Sequence, residues 1–202
     1  MRIIGGFAAG RILTVPKGYD VRPTPDLVRQ AVFNSLSDRV LDTQVLELFG
    51  GTGALSLECL SRGAKHAVCV ELAPRHARMI ERNAREVGVD RASFDLRLQD
   101  VFTAMPQLRH AGRQFDLIVA DPPYGDKNVG RKSESFAQRL LDDADLPHLL
   151  APGGIFILGH AKRDTLTLPE GWEERKVLKH GDSWMRFLRQ KVKEPETAIT
   201  ES

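Results

Sequence analysis

Residues Val45 to Leu60 constrain the fold of this chain more than any other stretch. An apolar run, Val45-Leu46-Glu47-Leu48, leads into Phe49-Gly50-Gly51-Thr52-Gly53 and then Ala54-Leu55-Ser56-Leu57-Glu58-Cys59-Leu60. That order reads as a strand, a glycine loop and a helix. Glycines let the backbone turn sharply into a helix N-terminus and let a ligand approach it closely. The next apolar run, Ala67-Val68-Cys69-Val70, ends in Glu71. An acid about 20 residues beyond such a loop is spaced to hold ribose hydroxyls. A dinucleotide fingerprint would need glycine or alanine at position 56, where the chain has Ser56. Glu47 adds to this, since a pyrophosphate disfavours a nearby carboxylate, whereas a sulfonium and an amino-acid end tolerate one. The loop therefore favours S-adenosylmethionine over a dinucleotide.

Strands and helices alternate along the rest of the chain. Residues 24–37 are expected to form a helix, with Thr24 as N-cap and Pro25 at its first position. From Pro74 to Val87, Ala77, Ile80, Ala84 and Val87 recur at helical spacing, and Gly88 follows as a stop. Phe94 to Leu98 alternates as a strand ending at Gln99-Asp100, and Phe115 to Ala120 is apolar enough for a buried parallel strand. Ser135 to Leu141 reads as a helix, and Pro152-Gly153-Gly154 as a turn into the strand Ile155–Leu158. Trp172 to Arg189 reads as two strands joined by His180-Gly181-Asp182. This alternation predicts an α/β fold, a doubly wound sheet with Gly51, Glu71, Asp100 and Asp121 gathered at the carboxyl ends of its strands. The candidate cofactor residues are Glu47, Phe49, Gly50, Gly51, Thr52, Gly53, Glu71, Leu72, Asp100 and Val101.

The candidate catalytic residues are Asp121, Pro122, Pro123 and Tyr124, which follow the strand at Phe115–Ala120. Consecutive prolines fix φ and lack N–H donors, so the loop is stiff and its carbonyls are not used up in a ladder. Asp121 and the Pro122 carbonyl can then face one amino group on a planar ring, while Tyr124 stacks on the base that carries it.

At 202 residues, with 42% hydrophobic and 28% charged, the chain suits one globular enzyme domain. No run approaches the roughly 18 apolar residues of a membrane span. Cys59 and Cys69 sit in apolar runs and show no disulfide framework, which suits a reducing cytoplasm. The six histidines lack metal-ligand spacing, so no metal is assigned. The net charge of +2 says little by itself, but the cations cluster. Arg2, Arg11, Lys17, Arg22 and Arg29 face only Asp20 and Asp26 near the N-terminus, and Lys127, Arg131 and Lys132 follow Tyr124. Two basic clusters beside a base-stacking loop suggest a phosphate-tracking surface, with Arg2, Arg11, Arg22, Lys127, Arg131 and Lys132 as candidate RNA contacts. The expected organisation is a basic hairpin extension at 1–22, a catalytic domain at 23–190 and a disordered tail at 191–202.

These residues resemble the bacterial 16S ribosomal RNA guanine-N2 methyltransferases that modify guanine 966. The resemblance is carried by Arg2-Ile-Ile-Gly-Gly, Gly10-Arg11, Arg22-Pro23-Thr24, Phe33-Asn34, the glycine loop, Leu60-Ser61-Arg62-Gly63-Ala64, Glu71, Asn83 and Asp121-Pro-Pro-Tyr. It runs from Arg2 to about Tyr124 and continues more weakly beyond. Glu47 stands where that family commonly has aspartate, the wording at Gly51-Thr52 differs, and His180-Gly181-Asp182 replaces a tyrosine-glycine turn. The resemblance implies a Rossmann-like class I S-adenosylmethionine-dependent methyltransferase, with a seven-stranded, mostly parallel sheet whose last strand is reversed. It further implies methyl transfer to guanine N2 of 16S ribosomal RNA, naked or within a 30S particle, by a monomer. The residues alone leave open an adenine-N6 methyltransferase, a protein glutamine methyltransferase, for which asparagine would be expected at position 121, and a non-catalytic RNA-binding relative.

Overall fold

The computed structural model describes residues 1–15, 24–125, 127–128 and 131–191. The loop expected from Gly18 to Arg22 and the tail beyond Lys191 lie outside the described residues. Five parallel strands come first: β1 (Gln44–Leu48), β2 (His66–Glu71), β3 (Phe94–Leu98), β4 (Phe115–Ala120) and β5 (Leu150–Ala161). They are followed by β6 (Trp172–His180) and β7 (Ser183–Gln190). The sheet order is β3-β2-β1-β4-β5-β7-β6, with β7 antiparallel to both its neighbours. The reversed last strand follows the expectation from the resemblance.

Both faces of the parallel strands are apolar because both are covered by helices. Leu46, Leu48, Ile118 and Ala120 face a core shared with α4 (Val101–His110), α5 (Phe136–Asp142) and α6 (Leu146–Leu149). The alternate residues Val45, Leu117 and Val119 face the opposite core, shared with α1 (Asp26–Leu36) and α2 (Ala54–Ser61). The remaining helix, α3 (Pro74–Val87), ends as predicted at Gly88 in the left-handed region.

Three local readings need correction. Helix α1 starts at Asp26 with Pro25 at the cap position, and no side chain caps it, so Thr24 is not an N-cap. Helix α4 has no counterpart among the sequence-predicted elements; Pro106 interrupts its pattern, while Asp100 caps its start by accepting from Phe102 N and Thr103 N. The turn read at Pro152–Gly154 lies inside β5. Phe115 pairs with Leu150 and Leu117 with Ile155, so the four residues between bulge past Asp116.

The N-terminal segment folds back on itself through Ile3 N to Arg11 O (2.9 Å), Gly10 N to Ile3 O (2.9 Å) and Leu13 N to Met1 O (3.0 Å). Ile3 and Leu13 are fully buried against α2 and α3, each worth about 1.5–3 kcal/mol. Buried polar side chains fasten the same segment. Glu58 accepts from Ile4 N and Gly5 N, Ser61 bonds Ala8 N and the Gly5 carbonyl, and Asn83 bonds both backbone groups of Thr14. Among the described residues, no helix is long and apolar enough to cross a membrane.

Candidate active site

A cleft of about 480 Å³ opens at the carboxyl ends of β1, β2 and β4. Its walls include Glu47, Phe49, Gly50, Gly51, Thr52, Glu71, Leu72, Asp100 and Val101 from the sequence-predicted cofactor set. Asp121, Pro122, Pro123 and Tyr124 line the same cleft. Gly53 is off the wall and caps α2 in the left-handed region at φ 73°, where an added Cβ would lie 2.9 Å from Ile80 Cγ2. Sequence reasoning missed Met1, Thr24, Ala54, Leu55, Ala73, His76 and Phe136, which complete the wall. Thr24, Ala54 and Leu55 stand inside motifs the sequence offered, His76 follows two residues after a helix-opening proline, and Phe136 is an aromatic at the start of a predicted helix.

Glu71 fastens the glycine loop to the end of β2. Its Oε2 accepts from Gly51 N at 2.7 Å and its Oε1 from Ala73 N at 2.8 Å, with His76 Nδ1 3.5 Å from Oε1. A carboxylate has about four acceptor positions, so two backbone bonds leave room for a pair of ligand hydroxyls. Glu47 is buried and turned toward the start of α2, where its Oε2 accepts from Ser56 N (3.0 Å), Ser56 Oγ and Cys69 Sγ (3.4 Å). Burial raises its pKa to about 7 against the opposing pull of the Ser56 hydrogen bonds. The thiols of Cys59 and Cys69 are pushed up by burial as well, which makes them unreactive core groups. An aromatic cluster extends the cleft wall: Phe49 lies 5.4 Å from Phe136 between ring centroids, and the Arg139 guanidinium covers Phe102 at 4.0 Å.

Asp121 follows β4, next to Pro122 and Pro123. Its Oδ2 accepts a hydrogen bond from the Thr24 hydroxyl, and its Oδ1 is buried with no hydrogen-bond partner among the described residues. Burial raises its pKa, partly offset by Thr24. The Tyr124 hydroxyl donates to Ser183 Oγ at 2.7 Å, so the ring is tethered to the first residue of β7. The chain's departure at His180-Gly181-Asp182 therefore lies in the hairpin that holds this aromatic.

The structure describes five of the six predicted RNA contacts. Arg2 and Arg11 are exposed on the N-terminal hairpin, Arg2 3.7 Å from Asp26 and Arg11 3.3 Å from the Glu86 carbonyl. Lys127, Arg131 and Lys132 are exposed beyond Tyr124, with Lys132 paired to Asp142 at 2.6 Å. Arg22 and Lys17 lie outside the described residues. Arg29 is corrected: it is fully buried, bonded to Asp26, Glu58 and the Arg2 carbonyl, and holds the N-terminal segment from inside.

The family described as conserved hypothetical protein 95 matches residues 1–189. Ribosomal RNA small subunit methyltransferase D of Escherichia coli K12 is 36% identical over 124 residues, which cover 61% of this chain and 60% of that protein. The chain thus spans under two thirds of the length of that curated relative. The protein of the same name from Haemophilus influenzae is 27% identical over 172 residues, covering 85% of this chain and 84% of its own. Among solved structures, a hypothetical protein of Thermus thermophilus superposes with a TM-score of 0.74 at 29% identity, covering 93% of this chain and 98% of that one.

Proposed function

The chain belongs to the conserved hypothetical protein 95 family and has the Rossmann-like class I methyltransferase fold, and on that premise we propose that it methylates the exocyclic N2 of a guanine in 16S ribosomal RNA. The target in this reading is guanine 966. The observation that carries it is the convergence of Asp121, Pro122, Pro123 and Tyr124 on the cleft that also holds the glycine loop and Glu71.

The cleft fits S-adenosylmethionine. A Cβ on Gly50 would lie 2.5 Å from Cys69 Sγ, so glycine there lets the loop pack directly on β2 beside Glu71. Glu71 would hold the ribose hydroxyls, Glu47 would lie where a positive sulfonium is tolerated, and Leu72, Asp100 and Val101 would border the rest of the cofactor. The bound cofactor supplies a methyl carbon on a positively charged sulfur.

The remaining chemistry belongs to the chain. The lone pair of guanine N2 is delocalised into the ring, which makes it a weak nucleophile. Acceptors at Asp121 and the Pro122 carbonyl hold its two N–H bonds, favour a pyramidal nitrogen and aim the lone pair at the methyl carbon. Methylation of the amine requires one N2 proton to leave. The Asp121 carboxylate, made more basic by burial, receives that proton. Tyr124 stacks on the base and is steadied by Ser183.

Exposed Arg2 and Arg11 on the N-terminal hairpin, with exposed Lys127, Arg131 and Lys132 after Tyr124, support a phosphate-tracking surface for the RNA. The same reading has the protein act as a cytoplasmic monomer on RNA within a 30S particle. Mass mapping of 16S RNA from cells with and without the protein tests it. The methylated guanine should vanish without the protein, and an unchanged modification pattern would overturn the proposal.

A further inference from the structure

Thr24 precedes α1 and lines the cleft, and its hydroxyl is spent on the Asp121 carboxylate across a sequence separation of 97 residues. It is buried and caps nothing, so helix geometry does not require a hydroxyl there. Among the described residues Asp121 has no other hydrogen bond to its side chain: Oδ1 is buried without a partner, close to Gly159 on β5, whose missing Cβ leaves the space this oxygen fills. A carboxylate with a single anchor rotates about χ2 unless that anchor holds. Thr24 is that anchor.

We propose that Thr24 is a positioning residue for methyl transfer, its hydroxyl fixing the plane in which the Asp121 carboxylate meets the substrate amine. The inference rests on the reading of Asp121 given above and extends it to a residue on a different element. Helix α1 makes the anchor rigid. Arg29, one turn into that helix, is held by Asp26, Glu58 and the Arg2 carbonyl, which ties the start of α1 to the N-terminal segment. The hydroxyl also stabilises the carboxylate as an anion, against the burial that raises its pKa. Thr24 thus keeps Asp121 able to accept a hydrogen bond before it takes a proton.

The test compares Thr24→Val, which keeps the shape and removes the hydroxyl, with Thr24→Ser, which restores it. Single-turnover methylation is measured on small subunits from cells lacking the protein, and S-adenosylhomocysteine binding by calorimetry. Thr24→Val should slow methyl transfer by about 10- to 100-fold, the scale of losing one preorganised contact or misplacing a reacting group. Cofactor affinity should stay within about three-fold of wild type, and Thr24→Ser should recover most of the rate. A Thr24→Val rate equal to or above wild type overturns the inference, as does Thr24→Ser failing as badly as Thr24→Val. Asp121→Ala separates the two levels. If wild type is active and Asp121→Ala keeps its rate, the role of Asp121 itself fails. If Asp121→Ala loses about 100- to 1000-fold while Thr24→Val is unaffected, only the positioning role fails.

Discussion

Replacing Glu58 by glutamine should loosen the N-terminal segment and lower the stability of the whole domain. Glu58 is fully buried on α2 and collects four donors: Ile4 N at 2.7 Å and Arg29 Nη1 at 3.5 Å on Oε2, Gly5 N at 2.8 Å and Arg62 Nε at 2.7 Å on Oε1. A carboxamide keeps one acceptor oxygen and turns an NH2 group toward two of those donors. It also removes the negative charge beside Arg29, which stays fully buried with Asp26 and the Arg2 carbonyl as remaining partners. Removing one member of a buried ion pair typically costs about 3–5 kcal/mol. In a domain of this size each kcal/mol moves the melting temperature by roughly 2–4 °C, so Glu58→Gln should melt about 6–20 °C below wild type. Circular dichroism melts give that shift. Trypsin digestion separates local from global loss, since a released segment is cut at Arg2 and Arg11 before the core unfolds. Cofactor affinity should fall too, because Met1 of this segment lines the cleft. A melting temperature within about 2 °C of wild type would falsify the assignment of Glu58 as the anchor.

Glu71→Ala should weaken S-adenosylmethionine by about 1.5–3 kcal/mol through lost charged hydrogen bonds, and an unchanged dissociation constant in calorimetry would move the ribose contact elsewhere. Tyr124→Ala should lose roughly 1–3 kcal/mol of base stacking, whereas Tyr124→Phe and Ser183→Ala should each lose only about 0.5–1.5 kcal/mol by freeing the ring; substrate KM for the three variants decides, and equal damage from alanine and phenylalanine at 124 rules out stacking. Glu47 sets a pH dependence. Below pH 4.5 it is protonated both unfolded and folded; between 4.5 and about 7 the unfolded chain ionises first, so stability falls as pH rises, and above 7 a constant penalty of about 3 kcal/mol remains. Urea unfolding should therefore show wild type losing stability relative to Glu47→Gln from pH 5 to pH 8, and parallel curves would mean that Glu47 is not carrying the buried charge.

The parallel core was legible because each central strand is apolar on both faces and is followed by a recognisable loop. The ladders from Val45 to Ala120 needed only local pattern. What stayed hidden was long-range polar pairing. Glu58 reads as one more acid on an apolar helix, and nothing nearby in sequence says that its donors are 53 and 54 residues away. Arg29 looked like a surface cation for the same reason: its partners are Glu58, a backbone carbonyl and Asp26. Thr24 was misread because Thr-Pro-Asp before a helical pattern mimics a cap, and only the fold brings Asp121 to it. Helix α4 escaped because Pro106 breaks the apolar spacing that would otherwise mark it. Among the cleft residues, most of those in the glycine and proline loops were found, and those contributed singly by distant elements, such as Phe136, were missed.

The place of β7 has a consequence for how the chain is made. Residues Phe156 to Ala161 of β5 pair on one side with Ser183 to Leu188, so that edge stays open until almost the whole chain has been synthesised. The waiting edge carries Phe156, Ile157 and Leu158, three fully buried residues in the finished fold. An apolar, unpaired strand of this kind is a template for pairing with other chains. A ribosome that stalls before Ser183 therefore releases a polypeptide with most of its sheet formed and its stickiest edge uncovered, and such fragments should collect in aggregates.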